Sequence, residues 1–507
     1  MDKQQWNMDD LDFDRLLEEG LPEEPPDSIA QAVTPWRRAM RRILWGLALN
    51  AVTFQFFGLQ YWLPLAGVVL TLLGFRSLRQ ENRWFAGGWC LAWCQTVLRL
   101  AFLVVNATIW QEVFYELPAV QASGYLFFGM TVCQALCLWR GLRTVKAKAA
   151  LPDGSSGGAL LVWYLVLFPL AVVGYSGWIL SILFLTAYGL ILRSLWQISK
   201  ALDEAGYAIR AARVVLSDRV LTGLLLVVLA VGMAAGYLVA GRYPMDWQPK
   251  ESVMGESAEE IKEGLLELGF PEAVLDDLTE EEIKECQGAT LVLAQVNDYP
   301  VNNGRQVMEV LGDVQHFRTV YDQKELRIID VAVRLPGERE TWQLFHHFTW
   351  TIDPGFRGTE SIQLWGADHK GAGIGWHAGA VTGRLLCDRD GQVYTAPYYS
   401  LGRESYTYDS MFWGRQTSTD IWATFSLPRE GENSRGYLTY TVEELEEGWS
   451  IDSWVNYTHQ QSFMQYSVRT AMGDRKLDGF SGNGAFKTIQ DALQIYPYEE
   501  QPELYGN

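Results

Sequence analysis

Residues 219–240 read RVLTGLLLVVLAVGMAAGYLVA, and this stretch decides how the first half of the chain is interpreted. After Arg219 it carries no charged side chain, and as an α-helix it would be about 30 Å long. That length matches the hydrocarbon core of a bilayer, so the stretch is predicted to be a membrane span. Six apolar runs precede it. The predicted spans are 43–58, 60–77, 84–107, 123–140, 159–175, 177–195 and 219–240.

Apart from Arg99, Lys and Arg cluster at the N-terminal flank and in or at the edges of alternate gaps between these runs. The basic clusters lie at 37–42, 76–83, 140–148 and 193–219, whereas the gaps near 58–60, 111–124 and 174–177 have no Lys or Arg. This asymmetry predicts a multi-pass cell-membrane protein with a cytoplasmic N-terminus and an extracytoplasmic region after Tyr243. A re-entrant hairpin over 43–77 is the alternative for the first two runs, and it leaves the later topology unchanged.

The two halves of the chain differ sharply in charge. The whole sequence has 41 Lys and Arg against 60 Asp and Glu, and all of the acidic excess falls after residue 241. A strongly acidic domain argues against a nucleic-acid partner, because phosphate binding needs a basic surface. It is typical of a solvated domain outside the membrane.

The predicted fold class is a membrane α-helical bundle followed by a mainly antiparallel β-sandwich or jelly-roll-like domain, with a small helical module between them. Alternating strand-like runs recur from Ala289 onward, and Asp390-Gly391 is a hairpin signal. Ser257 with Glu260, and Thr279 with Glu282, predict capping boxes in the module. Within the β domain, a helix is predicted only near the end, over Lys487–Leu493. The predicted domains are 1–40, acidic and cytoplasmic; 41–241, the spans; 242–256, a linker; 257–288, the helical module; 289–496, the β domain; and 497–507, a tail.

Polar side chains inside the predicted spans are few. Arg99 lies in the third span with Gln95 one turn away, and an ionisable residue within a span is a candidate functional group. Arg99 is also close enough to the outer interface for its side chain to reach the headgroups. Four cysteines, which are Cys90, Cys94, Cys133 and Cys137, could meet at one depth as soft-metal ligands, or serve as small residues that let helices pack.

The N-terminal region resembles a known group of proteins. The stretch TPWRRAMRRILWGL over 34–47, after an acidic helix-like segment with Leu11, Phe13, Leu16 and Leu17, is similar to the start of uncharacterised bacterial polytopic membrane proteins. The resemblance covers roughly the first 85 residues and implies a membrane protein with no assigned activity. The acidic segment could dock on a basic cytoplasmic partner or remain a disordered tail.

The β domain offers binding residues but no catalytic motif. Its segment 396–422 combines polar residues, glycine and aromatic rings, which are typical of surfaces that bind sugars or peptides. Within this half of the chain no HExxH, P-loop, GxSxG or GxGxxG pattern occurs, so neither a catalytic residue nor a cofactor is predicted. The aromatic candidates are Tyr398, Tyr399, Tyr406, Tyr408 and Trp413; weaker candidates for metal ligands are Asp368, His369 and His377.

Three functions remain open on the sequence. The first is an extracytoplasmic binding or sensing domain that signals to the cytoplasmic N-terminus. The second is a transporter or envelope enzyme that uses Arg99 and the span cysteines, although the scarcity of ionisable groups in the spans weighs against it. The third is a purely structural envelope protein. Two further cysteines, Cys286 and Cys387, lie in the extracytoplasmic half, and the sequence leaves open whether they pair.

Overall fold

The structure is a computed structural model. It describes residues 35–51, 59–152, 156–173, 177–207, 216–251, 254–311, 314–365, 376–410, 414–445, 450–463, 470–476 and 484–496. The chain divides into two compact units. One, the helical unit, takes residues up to 105 together with 112–232, and the other, the sheet unit, takes 106–111 together with 233–507.

Helices fill the described part of the first half of the chain. Five of them, α2, α3, α5, α7 and α8, are long and apolar enough to cross a membrane, and α6 contains a shorter apolar stretch. The predicted membrane character is confirmed at this level. The helices are α1 (Pro35–Ala51), α2 (Leu59–Leu78), α3 (Arg83–Val105), α4 (Gln111–Glu116), α5 (Pro118–Lys148), α6 (Ser156–Val173), α7 (Trp178–Glu204) and α8 (Asp218–Ala240).

Helices α1 and α2 touch through glycine. A Cβ added to Gly46 would lie 2.6 Å from the carbonyl oxygen of Gly67, and one added to Gly67 would lie 2.8 Å from the carbonyl oxygen of Gly46. Helix backbones approach this closely only where small residues face each other. The apolar stretch over 43–77 therefore forms two helices that pack tightly against each other. Their connection over 52–58 lies outside the described residues.

The basic ends of α1 and α2 converge on one carboxylate. Arg42 donates to Asp218 at 2.6 Å, and Arg76 donates to the same side chain at 3.2 Å. Arg76 also donates to the carbonyl of Leu216. Because Asp218 begins α8, these bonds join the first two helices to the last one within the helical unit. Trp36, Ala39 and Met40 are buried in α1. The last residues of the predicted N-terminal segment, 1–40, thus belong to the first helix.

The sheet unit holds two antiparallel sheets and a separate hairpin. The large sheet has the order β1-β9-β8-β12-β6-β5-β2, the small sheet has the order β10-β11-β7-β13-β14, and β3 pairs with β4. The strands are β1 (Gln248–Pro249), β2 (Leu291–Tyr299), β3 (Arg305–Leu311), β4 (Val314–Val320), β5 (Leu326–Leu335), β6 (Thr341–Trp350), β7 (Glu360–Trp365), β8 (Trp376–Arg389), β9 (Gln392–Ala396), β10 (Ser400–Ser410), β11 (Gly414–Phe425), β12 (Glu432–Glu444), β13 (Ile451–Gln460) and β14 (Phe486–Ile495).

One hydrophobic core joins the two sheets. Alternate residues of β5, β6, β8 and β12 pack against alternate residues of β7, β11, β13 and β14, as in a sandwich. Aromatic rings cross between the sheets: Phe348 lies 5.6 Å from Phe425 and 4.8 Å from Tyr457, measured between ring centroids. The predicted antiparallel β domain is confirmed. The predicted turn at Asp390-Gly391 is also confirmed, with φ of 52° and 77° at the two positions.

A helical module covers the other face of the large sheet. Helices α9 (Glu256–Glu267), α10 (Glu272–Leu275) and α11 (Glu280–Glu285) bury apolar side chains against β5, β6 and β12. The capping box predicted at Thr279 and Glu282 is present. The one predicted at Ser257 is wrong, because α9 starts two residues earlier, with Gly255 as its N-cap and no side-chain cap.

Two sequence predictions are corrected in the sheet unit. The helix predicted over Lys487–Leu493 is a strand, β14, which pairs with β13 along its whole length. The segment predicted as a linker over 242–256 is attached to the sheets: Gln248 pairs with Thr395 of β9, and Tyr243 donates its amide to the Ser426 hydroxyl at 3.0 Å. Backbone pairing outweighs the helix-like spacing in the first case and the loop-like composition in the second.

Candidate ligand-binding face of the small sheet

The small sheet turns aromatic and polar side chains away from the sandwich core. In β7, Ile362 and Leu364 point into the core, so Ser361, Gln363 and Trp365 lie on the opposite face. The same alternation brings residues of β10, β11 and β13 to that face. We call it the aromatic face, and define it as Tyr406, Asp420, Trp422, Gln363, Trp365, Trp454 and Asn456.

A carboxylate organises the centre of this face. Gln363 donates its amide to Asp420 at 2.5 Å, and the Tyr406 hydroxyl donates to the same oxygen at 3.0 Å. Asp420 and Gln363 are each 4% exposed, so this network lies below the surface. The Tyr406 ring meets the Trp422 ring edge-on, with 5.7 Å between centroids. A fixed acceptor thus lies beside two aromatic rings.

A second aromatic pair flanks the network. Trp365 and Trp454 are stacked, with 5.3 Å between centroids, and both are partly exposed. With its amide oriented to satisfy the neighbouring donors, Asn456 accepts from the Trp365 indole at 3.0 Å and from Arg475 at 3.1 Å. The face therefore combines ring surfaces with amide and guanidinium hydrogen-bonding groups.

A short helix, α12 (Ala471–Lys476), lies against this face. The Lys476 ammonium lies 5.8 Å from the Tyr406 ring centroid and 5.4 Å from that of Trp422, within the range of cation–π attraction. It also forms an ion pair with Glu404 at 2.6 Å. Lys476 thus carries positive charge directly over the two rings.

Three buried polar atoms on or beside this face have no hydrogen-bond partner among the described residues. They are the indole nitrogen of Trp422, the hydroxyl of Ser361 and the Nε of Arg475. Buried polar groups are normally paired, and an unpaired one costs about 1–3 kcal/mol. A polar ligand or ordered water at this position would satisfy them.

The sequence candidates for ligand binding are dispersed by the structure. Only Tyr406 lies on the aromatic face. Tyr398 is 7% exposed, packs in the core and donates to the Tyr437 carbonyl at 3.1 Å. Tyr399 contacts the Tyr243 ring in a tilted arrangement, with 4.7 Å between ring centroids. Tyr408 belongs to β10, but its side chain, like the whole of Trp413, lies outside the described residues.

The candidate metal ligands are only partly visible. Asp368 and His369 lie outside the described residues, and His377 is an exposed residue of β8. In the described ranges, no group of three or more His, Cys, Asp or Glu side chains is arranged to hold a metal ion. Cys286 and Cys387 are both buried and free, so the possible disulfide is absent. Burial, with Glu285 and Glu282 nearby, raises the pKa of the Cys286 thiol to about 12.

Arg99 and Gln95 both face α5. The Arg99 guanidinium lies 5.0 Å from the Phe127 ring centroid, and Gln95 donates to the Thr131 hydroxyl at 3.2 Å. These contacts tie α3 to α5. Cys90, Cys94 and Cys133 are exposed, and Cys137 is partly exposed.

Three histidines that the sequence left unassigned form buried pairs with carboxylates. His346 contacts Asp330 at 2.6 Å, His347 contacts Asp277 at 2.9 Å and His459 contacts Glu360 at 2.8 Å. His346 and His347 are adjacent in β6 and face opposite sides, as expected for a strand. The signal that could have found these pairs is polar residues placed in otherwise apolar strands.

One of these pairs resembles an acyl-transfer triad in composition. His346 also lies 2.7 Å from the Ser453 hydroxyl, and Tyr440 lies 2.5 Å from the same oxygen. Asp330 and Ser453 have no exposed surface, so a substrate carbonyl could not approach this serine in the folded state. The network joins β5 and β6 of the large sheet to β13 of the small sheet.

In the other two pairs the pKa of the carboxyl group shifts in opposite directions. Burial raises the pKa of Asp277, but hydrogen bonds and charges from His347 and Arg435 outweigh it, so this pKa is lowered overall. Burial also raises the pKa of Glu360, and here the charges and hydrogen bonds of His459 and its other neighbours do not compensate. The Asp277 pKa is thus lowered and the Glu360 pKa is raised.

The aromatic face is connected to the end of α8 within the sheet unit. Tyr237 of α8 accepts from the Gln460 amide at 3.0 Å, and Gln460 in turn accepts from Thr359 at 2.9 Å. The Thr359 hydroxyl accepts the amide of Ala471, the first residue of α12, at 3.1 Å. A short chain of hydrogen bonds therefore joins a candidate membrane helix to the helix that covers the aromatic face.

Comparison with known proteins adds little. No family model matches the chain, and no curated protein matches it. Two chains from solved structures are similar to it. One belongs to a structure described as "AvmM Catalyzes Macrocyclization in Alchivemycin A Biosynthesis", with 11% sequence identity over 39% of this chain and 98% of that chain. Its TM-score of 0.19 is too low to support an argument about fold or function.

Proposed function

We propose that this protein is a multi-pass membrane receptor whose sheet domain binds a carbohydrate at the aromatic face and transmits its occupancy to α8. The observation that carries the proposal is the hydrogen-bond chain from α12 through Thr359 and Gln460 to Tyr237. A ligand that shifted α12 would alter contacts that end on a candidate membrane helix. Coupling of this kind requires only that the ligand favour one of two arrangements.

Carbohydrate is the ligand class that fits the chemistry of the face best. The apolar side of a sugar ring packs on aromatic rings, and Trp365, Trp454 and Tyr406 are partly exposed. Sugar hydroxyls both donate and accept, so they could bond to Glu404 and Lys476, which are partly exposed beside the rings. A peptide would be expected to add a strand at a sheet edge instead.

The proposed topology has seven crossings with the N-terminus in the cytoplasm and the sheet domain outside. It adds α1 and α6 to the five long apolar helices, and it follows the distribution of Lys and Arg along the sequence. The sandwich is proposed to have a jelly-roll-like connectivity. The signal would pass to cytoplasmic segments, where a basic partner could bind the acidic N-terminal region.

Ligand binding is tested with the full-length protein in nanodiscs, applied to an array of neutral oligosaccharides. We expect at least one sugar class to be retained, and both Asp420→Asn and Tyr406→Ala to weaken its binding at least tenfold. Phe317→Ala is the matched control, because Phe317 is an aromatic residue of the same unit that is 73% exposed on the β3–β4 hairpin. Equal binding by all variants, or no retained sugar, would refute the proposed site.

Topology is tested by labelling intact cells with an impermeant maleimide. Single cysteines replace Lys200 and Glu338, both exposed, in a background with the six native cysteines changed to alanine. Labelling of the Glu338 position alone is expected. Labelling of the Lys200 position alone would invert the topology and remove the receptor proposal.

A further inference from the structure

We propose that the groove between α1 and α7 binds an anionic phospholipid. The groove has a volume of about 670 Å³ and lies entirely within the helical unit. Its α1 wall is basic at one end and apolar at the other. This inference concerns a second site and does not depend on the proposed carbohydrate ligand.

The basic end of the groove is formed by Arg37, Arg38 and Arg41. Arg38 and Arg41 are exposed, and in the described part of the chain neither forms an ion pair. Their neighbour Arg42 behaves differently, because it is bound to Asp218. Two unpaired guanidinium groups at the end of one groove supply the donors that a phosphate group needs.

The apolar end of the groove continues along the same helix face. Leu44, Trp45 and Ala48 follow Arg37 and Arg41 at helical spacing. From Arg37 to Ala48 the helix rises about 16 Å, which is about half the thickness of a hydrocarbon core. The groove therefore matches one leaflet, with its basic end at the headgroup level and its apolar end at acyl-chain depth.

Helix α7 provides the opposite wall through Leu192 and Trp196. The Arg37 guanidinium lies 5.6 Å from the Trp196 ring centroid, so the tryptophan holds this arginine at the groove. Trp45 is 61% exposed in the isolated chain. An acyl chain would cover this ring, whereas a soluble anion would leave it bare. Basic pockets between membrane helices are known sites for anionic lipid headgroups.

The experiment uses the full-length protein in neutral detergent and counts bound lipids by native mass spectrometry. Phosphatidylglycerol is compared with phosphatidylcholine of the same acyl chains. The wild type is expected to prefer phosphatidylglycerol, and the variant R38Q/R41Q to lose this preference by about tenfold. The control R193Q/R219Q removes the same charge from exposed arginines outside the groove and is expected to keep it. Equal loss in both variants, or no preference in the wild type, would overturn the proposal.

Two further measurements separate the other possible occupants. Glycerol phosphate should not compete with phosphatidylglycerol at millimolar concentration; competition would indicate a simple phosphate site and would overturn the lipid assignment. Deletion of residues 1–34, which carry the acidic N-terminal segment, should leave lipid binding unchanged. Lipid binding that appears only after this deletion would assign the groove to that segment instead.

Discussion

At the scale of single residues, the sheet domain buries ionisable side chains in pairs. Three of the six histidines each lie against a carboxylate inside the protein. Breaking such a pair by removing one partner leaves a buried group uncompensated, which is costly. The pKa shifts of Glu360 and Asp277 make the domain sensitive to pH, and the sign of the effect differs between these two groups.

The Glu360 and Asp277 sites predict opposite pH dependences. The pKa of Glu360 is raised by burial, so its contribution to stability is present below about pH 4 and is lost as the pH rises through the folded-state pKa. The pKa of Asp277 is lowered overall, because His347 and Arg435 outweigh burial, so its contribution is present above about pH 4 and is lost as the pH falls.

The measurement is the apparent Tm of the sheet domain in the full chain between pH 3 and 7. The Tm of the wild type minus the Tm of Glu360→Gln should decrease as the pH rises. The Tm of the wild type minus the Tm of Asp277→Asn should increase as the pH rises. Differences that run in parallel for the two variants would contradict this assignment.

At the scale of elements, two features determine which substitutions a helix tolerates. They are the backbone contacts between helices and the hydrogen bonds at helix caps. The close approach of Gly46 and Gly67 leaves no room for a side chain between α1 and α2. By contrast, a Cβ at Gly129 of α5 would meet nothing within 4 Å. Both glycines lie inside helices, so they differ in packing and not in secondary structure.

Gly67→Ala is therefore expected to lower the apparent Tm of the helical unit and to loosen the α1–α2 pair. Gly129→Ala should leave the Tm unchanged or raise it slightly, since alanine favours a helix by about 1 kcal/mol over glycine. Thermal unfolding in detergent measures both. A smaller effect at Gly67 than at Gly129 would show that the two helices do not pack as described.

The helical module provides a second comparison. Thr279→Ala removes the side-chain hydroxyl that accepts the Glu282 amide in a formed capping box and should cost about 1 kcal/mol. Ser257→Ala removes no cap and should cost less than about 0.5 kcal/mol. Hydrogen exchange of the α11 and α9 amides measures each loss where it occurs. Equal costs would mean that the sequence prediction of two capping boxes was right.

At the scale of the whole molecule, the sequence predicted elements better than it predicted the site. Hydropathy located the helices, and alternation located the strand region from Ala289 onward, because each of these signals is local. The aromatic face was missed apart from Tyr406, since it forms only when β7, β10, β11 and β13 lie side by side. The pairing of strands that are far apart in the sequence leaves no local pattern.

The hydrogen-bond chain from Tyr237 to α12 predicts a long-range effect. Tyr237→Phe removes the acceptor of the Gln460 amide, and Gln460 orients Thr359, which accepts the first amide of α12. We expect the amides of 472–476 to exchange faster with solvent in this variant. Tyr321→Phe, which changes an exposed tyrosine of the same unit, is the control. Unchanged exchange in Tyr237→Phe would show that the chain transmits nothing.

The pairing of Gln248 and Pro249 with β9 has a practical consequence for anyone who expresses the sheet domain alone. A fragment that starts at residue 257 would follow the domain boundary suggested by sequence, but it would strip the outermost strand from the large sheet. The bare backbone of β9 would then be free to recruit another molecule, which is a common route to insoluble aggregates. A fragment that begins near residue 244 keeps that border closed and is the better starting point for crystallisation.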